Sequence, residues 1–224
     1  MKNDTNERQV PTDLMLRVRN TMPKRALLYG EALTIAKLQA LRLRALLHIT
    51  APSADLKWIL LVPNLVVKML PKHEIRELTG AEASGMTKRM KNGDYFIGIN
   101  RNAAHTHRRF TVAHEFKHLI DYPYQETLYA QLGHGDKELQ HRLRERICDH
   151  FAAHFLVPDT LLKRAWTSGL QDLSALAGLF TVSEEAMQIR LENEGFLDDD
   201  RPAEAFLRRV GLVSELGMSY CEVA

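Results

Sequence analysis

The chain has 224 residues, of which 45% are hydrophobic and 26% charged, with a formal net charge of +2. These proportions are ordinary for a soluble globular protein, and the near balance of charge makes no demand for nucleic acid or an anionic membrane. At this length one domain, or one domain with a smaller appendage, is expected.

The first residues are polar and do not read as a signal peptide, and residues 1–12 read as a loose leader. From Leu14 to about Ile49 the pattern is helical. Leu33, Ala36, Leu38, Leu41, Leu43, Leu46 and Leu47 make a wide apolar surface, and Lys37, Arg42 and Arg44 are expected on a solvated face. Ala51–Asp55 is loop chemistry, with Asp55 placed to cap a short helix through Val62. The longest apolar stretch, Trp58 to Leu70, is broken by Pro63-Asn64 and Lys68 and is too short to span a bilayer. Leu65–Leu70 reads as a strand closed by Pro71. Ala83–Met90 and Tyr95–Asn100 flank Lys91-Asn-Gly-Asp94, and an Asn-Gly pair between two strand-like runs signals a hairpin. A small, mostly antiparallel sheet is therefore expected, whose exposed edge could hold an extended peptide by strand addition.

Next comes Arg109-Phe-Thr-Val-Ala-His-Glu-Phe-Lys-His-Leu-Ile120. Residues four apart share a helix face, so His114 and His118 can converge on one metal ion, and Glu115 then sits beside its open side. Two histidines and a carboxylate in this order suit a zinc hydrolase. The chain has 10 histidines, so the pattern alone is open to chance and the context matters. Phe110, Val112, Ala113, Phe116, Leu119 and Ile120 make this a buried helix, with Thr106 a candidate N-cap and Tyr122-Pro123 its end. Buried imidazoles and carboxylates need partners, and a metal supplies one.

After Pro123 a polar, irregular stretch runs to about Asp136, with His134 read as an exposed loop residue. A helix from about Asp136 to Leu156, stopped by Val157-Pro158, offers the third ligand that a catalytic zinc needs. Turned through about 100° per residue, Glu145, Asp149, Ala152 and Ala153 share one face, while His150 and His154 point roughly opposite. Glu145 is the expected ligand, because a carboxylate offsets metal charge and reaches further than Asp149. Asp149, one turn on, suits the outer N–H of a liganding histidine. His141 remains a rival ligand, and a surface of ion pairs with Arg142, Arg144 and Arg146 remains the plain alternative. The two cysteines, Cys148 and Cys221, are far apart and imply neither a disulfide framework nor a cysteine zinc site, so a reducing cytoplasm is expected.

His114-Glu-Phe-Lys-His118, its lead-in Arg108-Arg-Phe-Thr-Val-Ala113, and Glu145-Arg-Ile-Cys-Asp-His-Phe-Ala-Ala-His-Phe-Leu-Val-Pro158 together resemble the ImmA/IrrE family of zinc metallopeptidases. The resemblance covers about residues 58–196. It implies zinc on His114, His118 and Glu145, with Glu115 as catalytic base. It also implies an α+β, zincin-like metallopeptidase core, mostly helical, with a small mainly antiparallel three-stranded sheet before the active-site helix. Val157 stands where the family commonly has Met, and Phe116-Lys117 where many members have Leu-Gly. On this reading residues 1–50 are an N-terminal helical segment, 51–196 the metallopeptidase domain, and 197–224 a tail with one further helix to about Val210.

Within the domain a helical section, 159–196, closes on a helix-turn-helix-like pair around Phe180-Thr-Val-Ser183. Its second helix carries Glu184, Glu185, Glu192 and Glu194 against one Arg190, a face that phosphates repel, so DNA binding is the lesser alternative. The resemblance implies a cytoplasmic endopeptidase whose protein substrate is a helix-turn-helix (Xre-type) repressor, in phage immunity, stress response or a toxin–antitoxin pair. Some relatives act by binding alone, which keeps a non-catalytic regulator as an alternative. Tyr122, Tyr124, His134 and His141 are all candidates to stabilise the oxyanion.

Overall fold

The computed structural model describes residues 10–197. The expected leader lies mostly outside the described residues, and the further helix toward Val210 and Cys221 lie outside them entirely. Among the described residues the chain is mostly helical, with one three-stranded sheet, an α+β arrangement.

The single helix expected over 14–49 is two, α1 (Leu14–Arg19) and α2 (Tyr29–Leu46). Pro23 lies between them, and a proline both lacks an N–H and drives the residue before it out of helical geometry. Of the three basic residues expected in solvent, Arg42 is exposed and Lys37 half-buried, while Arg44 turns inward; all three find partners. Arg44 is only 4% exposed and donates to the carbonyls of Phe155 (2.9 Å) and Ala51. Arg42 donates to the Arg17 carbonyl at 2.8 Å, and Lys37 pairs with Asp159. The reason is tertiary: helix ends leave carbonyls unsatisfied, and a long guanidinium side chain on a neighbouring helix can reach them.

A short 3-10 turn, Lys57–Leu61, follows, with Asp55 accepting from the Lys57 N–H at 3.0 Å. The sheet holds β1 (Leu65–Leu70), β2 (Gly85–Arg89) and β3 (Tyr95–Asn100) in the order β1-β3-β2. The β2–β3 pair is the expected antiparallel hairpin, with Gly93 at φ +92° in its turn. The β1–β3 pair is parallel, so the sheet is mixed. Between β1 and β2 runs α3 (Lys72–Thr79), a helix not foreseen in the sequence, which carries the chain to the far edge of the sheet; β2 enters there antiparallel to β1, and its hairpin partner β3 returns between them parallel to β1. Only Ile75 of α3 is buried, too little apolar pattern to betray it.

One face of the sheet packs on α4 (His105–Asp121). Its N-cap is Ala104, not Thr106, so the helix begins two residues earlier than the hydroxyl suggested. Its far end is capped from α1: the Arg19 guanidinium donates to the carbonyls of Leu119 (2.8 Å) and Ile120 (3.0 Å). The stretch expected to be irregular contains α5 (Gln125–Leu128) and a 3-10 turn, Leu132–Gly135, anchored by buried Leu128, Tyr129 and Leu132. Then α6 (Lys137–Leu156) starts at Asp136, whose side chain accepts from the N–H groups of Glu138 (2.9 Å) and Leu139 (3.0 Å). It packs between α2 and α4. Buried Ala36, Ala40 and Ala152 are small, which permits close approach, and Trp58, Phe116 and Phe155 meet edge to face beside them.

The closing helices are α7 (Asp159–Thr167), α8 (Leu173–Phe180) and α9 (Glu184–Glu194), with Thr181 at φ +55° in the turn between the last two. A buried polar cluster ties them to the rest. Asp159 accepts from the Arg190 guanidinium (2.7 Å) and pairs with His154 Nδ1 (2.8 Å) and Lys37, and His150 lies against His154 with ring centres 4.3 Å apart. Among the described residues, no helix is long and apolar enough to cross a membrane.

This cluster fixes a pH response. Burial, reinforced for His150 by His154, Arg190 and Lys37 and opposed by Asp159, holds both histidines below their ordinary value of 6.5. They are neutral when folded and charge when unfolded, so their contribution is complete above about pH 6.5 and is lost as pH falls below it. We expect the melting temperature to fall between pH 7.5 and 5.5, and the fall to shrink in His150→Gln, by about 2–4 °C for each kcal/mol in a chain of this size.

Candidate metal centre

α4 and α6 lie side by side, and each turns one line of polar side chains into the seam between them. His114 and His118 stand one turn apart on α4, and Glu145 and Asp149 one turn apart on α6. His114 Nε2 lies 3.1 Å from His118 Nε2 and 3.2 Å from Glu145 Oε2, and His118 Nε2 lies 3.3 Å from Glu145 Oε1. Two imidazole nitrogens and the two oxygens of one carboxylate thus gather from two helices, and the three side chains form a triangle with near contacts of 3.1–3.3 Å. A tetrahedral zinc with ligands at about 2.0–2.1 Å requires edges of about 3.3–3.4 Å between them. The donor set therefore suits a divalent cation in size as well as in chemistry. The Glu145 side chain is 37% exposed, which leaves the triangle open on one side.

The outer ring nitrogens are also engaged. His114 Nδ1 sits 2.8 Å from Asp149 Oδ1, an arrangement that holds the proton on Nδ1 and frees the Nε2 lone pair. His118 Nδ1 lies 3.5 Å from Cys148 Sγ. His114, His118 and Cys148 form a group whose ligand atoms lie within 4.8 Å of one another. Yet the thiol meets the nitrogen of His118 that faces away from the triangle, and burial pushes it well above its ordinary pKa, which disfavours the thiolate. His141, the rival ligand, is 62% exposed, with its Nδ1 3.7 Å from Glu145 Oε1, outside the triangle. His134 is exposed in its turn, as expected of a loop residue.

The electrostatics favour positive charge here. Burial works against protonating His114, but its hydrogen bonds to Asp149 and Glu145 outweigh burial and raise it to about 10. Burial likewise works to raise Glu145, and the two imidazoles overcome it and hold the carboxyl well below the usual range. The field that draws a proton to His114 draws a cation to the triangle.

Glu115 lies beside the histidine face of α4, turned toward β2 and close enough to His114, His118 and Glu145 to feel their charge. It is 7% exposed, and burial raises its carboxyl above the ordinary value. The Thr87 hydroxyl lies 2.7 Å from Glu115 Oε2 and 3.0 Å from the Glu115 carbonyl. Such close packing of β2 on α4 requires Gly85, where an added Cβ would come within 2.4 Å of Thr111 Cγ2 and 3.0 Å of Glu115 Oε1. Sequence reasoning missed Thr87, because strand–helix registry leaves no local mark. It also passed over Cys148, which did carry a signal: it lies one turn after Glu145. The bulky Phe116-Lys117 pair is accommodated away from the triangle. Phe116 enters the core, and Lys117 is buried with Asp121 at 2.5 Å and Tyr129 at 3.5 Å.

A family model, the IrrE N-terminal-like domain (Peptidase_M78), matches residues 71–192, more than half of the chain. The chain belongs to this family. The family is one of peptidases and is metal-dependent as a family. No curated protein matches the sequence. Among solved structures, a Mycobacterium tuberculosis transcriptional regulator is similar with a TM-score of 0.43 and 16% identity, over 84% of this chain and 48% of that one. The chain therefore spans about half the length of that protein.

The triangle and the cysteine make different predictions. Glu145→Ala should abolish retention of metal through dialysis, and Asp149→Ala should weaken metal affinity by about 10–100-fold. Cys148→Ala should leave the stoichiometry unchanged. Elemental analysis of the purified variants reads all three.

Proposed function

We propose that this protein is a zinc-dependent endopeptidase of the cytoplasm that cuts a helix-turn-helix (Xre-type) repressor and thereby controls transcription. The observation that carries the peptidase reading is the triangle of His114, His118 and Glu145 with Glu115, the next residue, beside it and held by Thr87. The repressor enters from the likeness of the paired histidine and glutamate motifs to the ImmA/IrrE family.

His114, His118 and Glu145 would hold the zinc, and Asp149 would keep His114 in the tautomer that binds it. When bound, the ion acidifies water and polarises a carbonyl. Glu115 accepts the proton from the attacking water and delivers it to the leaving amine. Burial raises its carboxyl, which suits a group that must both take and return a proton. The Thr87 hydroxyl fixes one carboxylate oxygen and so limits rotation of the other. The free edge of β2 is the natural place for the substrate backbone. There an extended peptide would add a fourth strand beside Glu115.

Burial of Arg190 argues against reading α8 and α9 as a DNA-binding unit. Its guanidinium is bound to Asp159 and the Val157 carbonyl, so the one basic side chain of α9 faces inward while Glu184 and Glu185 face out.

The test is incubation of the purified protein with the repressor encoded beside it, with and without chelator. Cleavage should require metal. Glu115→Gln should keep its zinc and lose about 10²–10⁴-fold in rate. Undiminished turnover by that variant would refute the role given to Glu115. Thr87→Val should lower kcat by roughly three- to tenfold with little change in KM, and Thr87→Ser should restore it.

A further inference from the structure

The free edge of β2 is chemically one-sided. From Gly85 to Lys91 it carries Lys88, Arg89 and Lys91 and no acid. The ladder says which of these a bound peptide would meet. Asn100 N–H donates to Ser84 O (2.9 Å) and Met90 N–H to Asp94 O (2.7 Å), so the even-numbered residues of β2 bond to β3. In an antiparallel pair the alternate residues turn their backbone groups outward. Gly85, Thr87 and Arg89 therefore offer their N–H and C=O groups to the open edge. Successive side chains alternate between sheet faces, so these same three residues share a face. Gly85 and Thr87 lie against Glu115, which makes it the α4 face. Arg89 is next on that face, about 7 Å beyond Thr87. Lys88 points to the other face.

Arg89 is also held in place. Its guanidinium lies over the Tyr95 ring, 5.9 Å from the centre, and Tyr95 in turn meets Tyr122 edge to face at 5.7 Å. No carboxylate lies within ion-pair reach of it among the described residues. A charged group that is exposed, stacked and without an acidic partner, one pleat from the residue that holds Glu115, is placed to read a substrate side chain. We propose that Arg89 is a specificity-determining residue, and that the peptide taken up along β2 carries an Asp or Glu two residues from the one paired with Thr87. Cross-strand neighbours on one face touch, and an opposite-charge pair there favours the matched peptide by roughly 1.5- to fivefold.

This inference rests on the peptidase reading, and two measurements keep them apart. In the first, the zinc-loaded protein digests a library of proteome-derived peptides and the cut sites are read by mass spectrometry. An acidic residue should be enriched at one fixed distance from the cut. Arg89→Glu should replace it with a basic one, and Arg89→Met, which keeps the packing on Tyr95, should remove the preference without reversing it. Cleavage with no acidic preference, or with one unchanged in Arg89→Glu, overturns the proposal. In the second, the Glu115→Gln protein binds a fluorescent peptide holding the acidic residue and its lysine counterpart, followed by anisotropy. Tighter binding of the acidic peptide, reversed by adding Arg89→Glu, supports the role of Arg89 even where cleavage fails and the peptidase reading falls. Equal binding of the two peptides counts against Arg89 whether or not cleavage occurs.

Discussion

The site depends on the contact between α4 and α6. Two imidazoles from one helix and a carboxylate from the other meet at 3.1–3.3 Å, closer than three polar groups of this kind would gather without something to gain. Each group alone would cost several kcal/mol to bury unpartnered. Together they cancel charge, satisfy one another and leave an open side. Much of the fold can be read as the means of keeping those two helices in register.

Both helices are held at their ends by arginines from the N-terminal segment. Arg19 takes the last carbonyls of α4, and Arg44 takes one of those at the end of α6. The carbonyl ends of helices carry partial negative charge, so a guanidinium there stabilises as well as caps. Burial lowers Arg44 to about 10, still well above neutrality, so the cap stays charged. Neither arginine lies within residues 71–192, which the family model matches. Segments before that core thus supply part of what aligns the site helices. On the far side, Asp159 binds Arg190, His154 and Lys37 together and draws α9 against the end of α6.

Glu115 shows how one helix serves two surfaces. Its neighbours His114 and His118 face α6, while its own side chain crosses to β2 and the Thr87 hydroxyl. Gly85 makes that crossing short by omitting a side chain where the strand touches α4. Glu115 and the two histidines are therefore positioned by different partners, and a change in either contact can disturb one without the other.

Much of the site was legible in the chain because helical periodicity is local. The four-residue spacing of His114 and His118, and the face shared by Glu145 and Asp149, follow from 3.6 residues per turn and need no knowledge of the fold. The β2–β3 hairpin was equally visible in Asn92-Gly93, and the start of α6 in Asp136. What lay beyond reach was whatever depends on which elements meet. Thr87 partners Glu115 across a strand–helix contact at a sequence separation of 28, and Arg44 reaches Phe155 at one of 111. The parallel β1–β3 pairing turned on the hairpin returning β3 between β1 and β2, a choice of sheet order that no single stretch records. Local spacing decides which side chains share a face; only packing decides what that face meets, because such contacts are set by the summed fit of many elements and leave no mark on any one stretch of sequence.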